Sequence, residues 1–184
     1  MSSQKVGPTI ADDIRTAAWY SAIFALLIIF LYIVIRFRKW QFGLGALVAM
    51  IHDVLIVLSL FSILYKFMPF SLEIDQAFIA AILTVVGYSI NDTVVVFDRI
   101  REFLGLHKRK DHDVVINDAL NSTLSRTINT SLSTLVVLLM IFFFGGEVIR
   151  GFVLALIIGV VVGTYSSLCV ATPVVVDLTK PKKK

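Results

Sequence analysis

The sequence has little charge and almost no cysteine. Only 16% of its 184 residues are Asp, Glu, Lys or Arg, whereas soluble domains carry about 25%. Cys169 is the single cysteine, so the chain can form neither an intrachain disulfide nor a cysteine-based metal site. It also lacks a Walker loop, a Gly-x-Ser-x-Gly elbow and a His-Glu-x-x-His element. We therefore expect no enzyme, no cofactor and no metal centre.

Apolar residues are abundant and are gathered in long blocks. They make up 58% of the chain and give a mean hydropathy of +0.89. A membrane-spanning helix needs about 20 mostly apolar residues, whereas barrel strands are shorter and alternate in polarity. The blocks long enough to span cover residues 17–35, 42–65, 77–97, 123–144 and 148–176. The sequence predicts an all-α, polytopic membrane bundle of five transmembrane helices.

Basic residues are unevenly divided between the two sides that this topology defines. Twelve Lys and Arg fall on the side of the C-terminus and four on the other side. The positive-inside rule then makes the C-terminus cytoplasmic, and the net charge of +4 is read as membrane topology rather than nucleic-acid binding. Residues 98–118 become a cytoplasmic connection of one or two helical pieces. Residues 177–184 become a basic cytoplasmic tail that attracts anionic lipid.

Five spans leave the polar residues 1–16 outside. This segment lacks the basic start and the cleavage site of a signal peptide. Either a short tail is carried across the membrane, or the chain is the end of a longer polypeptide whose earlier part delivers it there. The residues alone leave both explanations open.

Ionisable side chains inside the predicted spans are candidate functional residues, because they are costly in hydrocarbon and usually face the bundle interior. The third span carries Asn91 and Asp92, and the fourth carries Arg126 near its start. Asp92 and Arg126 fall at similar depth on antiparallel helices. We expect them to face one another, since a lone buried charge would be expensive.

Two polar stripes accompany this pair, each made of residues spaced three or four apart. They are Arg126, Asn129, Thr130 and Ser133 on the fourth span, and Thr84, Tyr88 and Asp92 on the third. Together they could line a hydrated path in which Asp92 exchanges protons as its distance from Arg126 changes. A static buried ion pair that fixes helix register explains the same residues equally well.

Two further features have structural explanations. His52 and Asp53 lie in the second span, where a satisfied interhelical contact is favoured and no close cluster of metal ligands surrounds them. Gly159 and Gly163 form a Gly-x-x-x-Gly element typical of close helix packing, with a partner helix that is either internal or on another subunit. Pro173 is expected at the end of the last span.

Four stretches carry a family resemblance. They are Val6–Asp13, Ala46–Asp53, the specific run Gly87-Tyr-Ser-Ile-Asn-Asp-Thr-Val-Val-Val-Phe-Asp-Arg-Ile-Arg-Glu102, and Ser125-Arg-Thr-Ile-Asn-Thr-Ser131. These stretches resemble the SecF family of the resistance–nodulation–division superfamily, over nearly the whole chain. The resemblance implies that the five spans are the second to sixth helices of a SecF half in the bacterial inner membrane. The first helix, the periplasmic domain and the SecD half would then lie outside this chain, with residues 1–16 in the periplasm.

The resemblance also implies a function. It indicates a proton-motive-force-coupled accessory subunit of the Sec translocase, with SecD, the SecYEG channel, YidC and the preprotein as partners. Carried over by residue, it makes Asp92 the proton carrier, Arg126 its counter-charge and Thr130 a hydrogen-bonding member of the path. The supporting polar residues are Tyr88, Asn91, Asn129, His52 and Asp53. A proton-coupled small-molecule exporter and a purely structural translocon subunit are the alternatives.

Overall fold

The chain folds into a bundle of long helices. A computed structural model describes residues 8–179, with side chains described at residue 20 and from residue 23 onward. Within that range there is no β-strand, which confirms the all-α prediction. The elements are α1 (Pro8–Phe37), α2 (Trp40–Leu64), α3 (Gln76–Leu106), α4 (His112–Phe144), α5 (Glu147–Ser166), a π-helical segment (Ser167–Ala171) and α6 (Thr172–Thr179).

Four helices of the described chain are long and apolar enough to cross a membrane. They are α2, α3, α4 and the continuous run Glu147–Thr179, which joins α5 to α6. The chain is therefore a multi-pass membrane protein. The described apolar part of α1, Ile23–Phe37, is shorter than a span, so a crossing by α1 stays a prediction. The orientation of the termini also stays a prediction, and residues 1–7 and 180–184 of the predicted tails lie outside the described residues.

Helices α3 and α4 run further than the apolar blocks that predict them. α3 continues to Leu106 and α4 begins at His112, so most of the predicted connection between them is helical extension. Ile100 is fully buried in an apolar cluster, and Arg99 pairs with Glu102 one turn later at 2.8 Å. These polar turns are therefore held by packing and ion pairs that a hydropathy pattern does not report.

The last helix does not end at Pro173. It widens into the π-helical segment and then resumes as α6. Proline lacks an N–H and its ring crowds the carbonyl four residues earlier, and a widened turn accommodates both. The Thr172 hydroxyl donates to the Ser167 carbonyl at 3.1 Å across this turn. The expectation of a helix terminus here is corrected to a local change of helix type.

Helices α3 and α5 form the central pair of the bundle. Their mutual contact is the most extensive between any two elements of the described chain. α4 packs against both helices of this pair, and α2 also packs against both, while α1 packs chiefly on α2. Few contacts join α2 to α4, so the central pair separates them.

Two apolar clusters fill the ends of the bundle. At the α1–α2 turn, Phe37, Phe42 and Phe97 pack with ring centroids 5.0 to 5.8 Å apart. At the other end, Phe61 packs on Phe78 with centroids 4.5 Å apart. Between the clusters, α2, α3 and α5 carry buried or half-buried polar side chains. We call this set the polar layer, and it comprises Asp53, Ser89, Asp92, Thr164 and Ser166 together with Ser131 of α4.

Candidate functional site

Asp92 lies on the α4 side of α3 and is only 4% exposed. Ser131 of α4 lies beside its carboxyl group, and the charge of Arg126 acts on it. Its Oδ2 atom is buried and has no hydrogen-bond partner among the described residues. A buried carboxyl oxygen without a donor is uncommon, because it has lost its water without replacement. The Oδ2 atom of Asp92 can therefore still bind a proton or accept a hydrogen bond from a donor on another chain.

Arg126 is a neighbour of Asp92 but does not contact it. Both residues lie in the described chain, and no N–O distance of 4.0 Å or less joins them. The Arg126 side chain is exposed on the outer side of α4. The expected close pair of Asp92 and Arg126 is therefore not formed in this structure, and the charge of Arg126 acts on Asp92 only over a longer distance.

Polar side chains continue from Arg126 across the outer surface of α3 and α4. The exposed members are Thr84, Gly87, Asn91, Arg126, Asn129, Thr130 and Ser133, which we call the α3–α4 polar face. Its hydroxyl groups donate to backbone carbonyls of their own helices. The half-buried Tyr88 contacts Thr134 at 3.4 Å between hydroxyl oxygens. The two predicted stripes therefore lie mainly on the outside of the helix pair, where lipid alone would solvate them poorly.

Ser131 connects the Asp92 side of the layer to α5. Its hydroxyl oxygen lies 2.5 Å from that of Thr164, which donates to the Val160 carbonyl at 2.7 Å. Ser131 also lies beside Asp92, so side chains of α3, α4 and α5 meet at this point.

Asp53 is fully buried where α2 meets the central pair. Its Oδ2 atom accepts hydrogen bonds from Ser89 of α3 at 2.5 Å and from Ser166 of α5 at 2.8 Å. Its Oδ1 atom lies 3.1 Å from His52 Nδ1. The structure thus places Asp53 in an interhelical contact that joins three helices, and that contact meets α3 one helical turn before Asp92.

The Gly-x-x-x-Gly element packs within the chain. A Cβ atom on Gly159 would collide with Val85 of α3, and one on Gly163 would lie 3.1 Å from Cβ of Ser89. The partner helix that the sequence leaves open is therefore α3. Close approach at these glycines brings Ser89 within reach of Asp53 and Ser166.

The hydroxyl partners of the two acids are not predictable from the sequence pattern. Ser89 and Thr164 are hydroxyl residues within membrane-spanning helices, and such residues often bond only to their own backbone. Which hydroxyl meets which acid depends on helix rotation. In the part of the chain that the structure describes, no three His, Cys, Asp or Glu side chains come together as a metal site would require.

Fold and site together define a multi-pass membrane protein that carries ionisable side chains in the middle of a helical bundle. Residues 1–181 match the family described as "Protein export membrane protein SecD/SecF, C-terminal". The chain belongs to this family, which confirms the resemblance read from its motifs.

Known relatives agree with this assignment. The chain is 61% identical to "Protein translocase subunit SecF" of Rhodothermus marinus, over 94% of the chain and 56% of that protein. It is 44% identical to "Protein translocase subunit SecDF" of Thermus thermophilus, over 100% of the chain and 24% of that protein. It is similar to the "Crystal structure of SecDF in Super-membrane-facing form", with a TM-score of 0.83 and 42% identity over 94% of the chain and 22% of that structure. The chain thus spans about half the length of the SecF relative and about a quarter of the SecDF relatives.

Proposed function

We propose that this chain is the membrane part of a SecF-type accessory subunit of the bacterial protein translocase, and that proton movement through Asp92 is coupled to preprotein export. The translocase names of the relatives support the accessory role and give the small-molecule exporter no support. The proton coupling depends on one observation. Asp92 is a buried carboxyl group among membrane-spanning helices, with one oxygen lacking a donor and a cationic neighbour on α4.

Arg126 would control the charge of Asp92 in this mechanism. Arginine stays cationic, so only the carboxyl group of the pair can exchange protons. An approaching guanidinium favours the ionised carboxylate, and a retreating one favours the protonated form. The exposure of Arg126 and its lack of a close ion pair in the described chain leave its side chain free to move between such positions. Thr130, one turn further along α4, would extend the path.

SecD is the proposed cover of the α3–α4 polar face. The SecDF relatives, whose names join SecD to SecF, support this choice of partner. A surface with an arginine and an asparagine at membrane depth is costly against lipid, so opposing polar groups on another membrane element would stabilise it. Tyr88, Asn91 and Asn129 would then line the path between the two subunits.

The wider assignment follows the same family. The subunit would lie in the bacterial inner membrane with its basic C-terminal tail in the cytoplasm and residues 1–16 in the periplasm. The SecYEG channel, YidC and the preprotein would be its further partners. The proposal gives the chain no covalent chemistry, so it would act as a transport subunit and not as an enzyme.

The test is Asp92→Asn in the complete translocase, with export of a preprotein measured in membrane vesicles before and after the proton gradient is collapsed. We expect normal assembly of the complex and loss of the gradient-dependent part of export. Asp98→Asn is the matched control, because Asp98 is an acid on the same helix that is partly exposed and paired with Arg36 at 2.8 Å. Undiminished gradient-dependent export by Asp92→Asn would remove Asp92 from the mechanism and favour a purely structural subunit.

A further inference from the structure

Asp53 is a fully buried carboxyl group that the proposed proton path does not use. It lies at the middle of α2, and both of its oxygens have hydrogen-bond partners. Ser89 and Ser166 both donate to Oδ2, and His52 Nδ1 faces Oδ1. The Asp53 side chain is 0% exposed, whereas that of His52 is 30% exposed. Asp53 is therefore the buried member of the pair, and His52 is the member that reaches the surface of α2.

The charge of this cluster determines how many protons it must hold. An ionised Asp53 without a cation would leave a net negative charge between membrane-spanning helices, which is strongly unfavourable. The two serine hydroxyls stabilise that charge but do not neutralise it. Among the described residues, no Lys or Arg pairs with Asp53, and its ion-pair partner is His52. Neutrality therefore requires one proton on the His52–Asp53 pair beyond the neutral imidazole and the carboxylate.

Other titratable groups near the pair come from the helices packed against α2. Tyr165 of α5 places its ring centroid 6.4 Å from that of His52. Asp92 of α3 lies one turn beyond Ser89. The remaining groups on the packed elements include the exposed thiol of Cys169 in the π-helical segment and, toward helix ends, Arg36, Asp98 and Asp177. Arg36 is already paired with Asp98. None of these supplies a second cation at the pair.

We propose that His52 and Asp53 share one proton at the centre of the bundle and form a proton-holding site separate from Asp92. With the proton on His52 Nδ1, the pair is an imidazolium facing a carboxylate. With the proton on Asp53 Oδ1, it is a carboxylic acid that donates to a neutral imidazole. Both forms are neutral, and both leave Oδ2 free to accept from Ser89 and Ser166. Exchange requires water or another subunit at the exposed edge of His52, because lipid itself takes up no proton.

Ser89 links this site to the proposed proton carrier. Ser89 precedes Asp92 by one helical turn, about 5 Å along α3, and close packing of Gly163 holds it in place. When the pair loses its proton, a negative charge appears beside Ser89, one helical turn from Asp92. The two negative charges repel, so we expect that the His52–Asp53 pair and Asp92 are not both deprotonated at the same time. This coupling rests on the proposed function, because it affects export only if Asp92 carries protons.

The proton on the pair can be tested by nitrogen NMR of labelled histidine. The chain has three histidines, and His107→Gln with His112→Gln leaves His52 as the single reporter. We use the complete subunit with its SecD partner in lipid vesicles at neutral pH. We expect protons on both ring nitrogens of His52, or a single strongly shared proton between Nδ1 and Asp53. In Asp53→Asn the ring should become an ordinary neutral imidazole, whereas Asp98→Asn should change nothing. A neutral ring that lacks a proton on Nε2 in the parent protein overturns the proposal, because both forms of the pair keep that proton, and this result holds even if Asp53→Asn fails to assemble.

The effect on transport is tested separately with His52→Gln. We expect the pH profile of gradient-dependent export to shift, because one of two coupled sites no longer titrates. A merely structural role would lower export equally at every pH, and that result would overturn the coupling. The two proposals fail differently. Full export by Asp92→Asn contradicts the proposed function, while a neutral His52 ring that lacks a proton on Nε2 in the NMR spectrum contradicts the shared proton.

Discussion

Two acids of the polar layer differ in how completely their carboxyl groups are bonded. Asp53 receives two serine hydroxyls and the His52 ring, whereas Asp92 keeps one buried oxygen without a partner in the described chain. In a low-dielectric interior, a satisfied network is rigid and an unsatisfied group carries a penalty that a proton or a new donor can relieve. This difference favours Asp92 as the group that takes up a new partner, while the hydroxyl bonds of Asp53 join α2 to α3 and α5.

Ser166→Ala should destabilise the protein while leaving it folded. The substitution removes one of two hydroxyl donors from a fully buried carboxyl oxygen. Lost hydrogen bonds of this kind cost about 0.5–3 kcal/mol, with membrane proteins toward the lower end. A lower thermal midpoint of the complex in lipid nanodiscs would measure it. Ser59→Ala is the control, since that exposed hydroxyl bonds only to the Leu55 carbonyl of its own helix. Equal effects of both substitutions would contradict the role given to Ser166.

Sequence identifies the acids of the layer but not their surroundings. Asp53, Asp92 and Arg126 are conspicuous because a charge in an apolar run is expensive. The distance of Arg126 from Asp92, and the hydroxyls that reach each acid, depend on how far each helix is rotated toward its neighbours. Residue spacing fixes a face of one helix and says nothing about which helix that face meets.

Glycines set the separation of the two central helices. At Gly159, the Cγ1 and Cβ atoms of Val85 would lie 2.7 and 2.9 Å from an added Cβ atom, with a further collision at Cγ2. Gly87 lies on α3, two residues after Val85, and an added Cβ atom there would have nothing within 4 Å. The two glycines therefore differ in what they face: a helix of this chain or open space.

Gly159→Ala should destabilise the bundle and Gly87→Ala should not. The first change overpacks the α3–α5 contact, at a cost of about 1–3 kcal/mol. The second adds a helix-favouring residue at an open position, worth up to about 1 kcal/mol in the other direction. Thermal unfolding of both variants in the same nanodiscs measures the difference. Equal stability of the two would show that α3 and α5 can separate without cost.

Pro173→Ala should convert the π-helical segment to regular α-helix. Alanine restores an N–H and removes the ring that crowds the carbonyl four residues earlier, so the widened turn loses its cause. A structure of the variant complex would show hydrogen bonds four residues apart through this segment. Persistence of the π-helical turn would assign its origin to packing against α2 instead.

Apolar runs predict where the helices cross the bundle but not where they end. The four membrane-crossing helices of the described chain contain the corresponding predicted blocks almost completely. The extensions of α3 to Leu106 and of α4 back to His112 are polar, and hydropathy assigns such residues to loops. Pro173 carries a strong breaking signal, yet tertiary packing and one hydroxyl bond maintain the helix through it.

At the scale of the whole molecule, the described part of the chain has an outer surface that lipid alone would solvate poorly. Arg126, Asn129 and Asn91 are exposed on the α3–α4 polar face, within helices that are otherwise apolar. Such a face favours association with another membrane element that offers polar groups. We therefore propose that the SecD half docks on the α3–α4 polar face.

Gly87→Leu should weaken association with SecD and leave this chain folded. The open space around Gly87 accepts a larger side chain within the chain, but the added bulk would hold a docked helix away. Co-purification of SecD with the variant, compared with Gly87→Ala, measures the effect. Ile79→Phe is a further control on the exposed apolar surface of the same helix. Full recovery of SecD with Gly87→Leu would place the docking surface elsewhere.

The two packed aromatic and aliphatic ends of the bundle limit how ions can approach its middle. Aromatic rings pack against one another at each end of the described bundle, so apolar side chains occupy the axial routes toward its middle. The exposed polar side chains of α3 and α4 instead favour a wet approach to Asp92 from the side. This chain supplies one wall of such a conduit, and the width, wetting and gating of that conduit are set by whichever helices form the opposite wall.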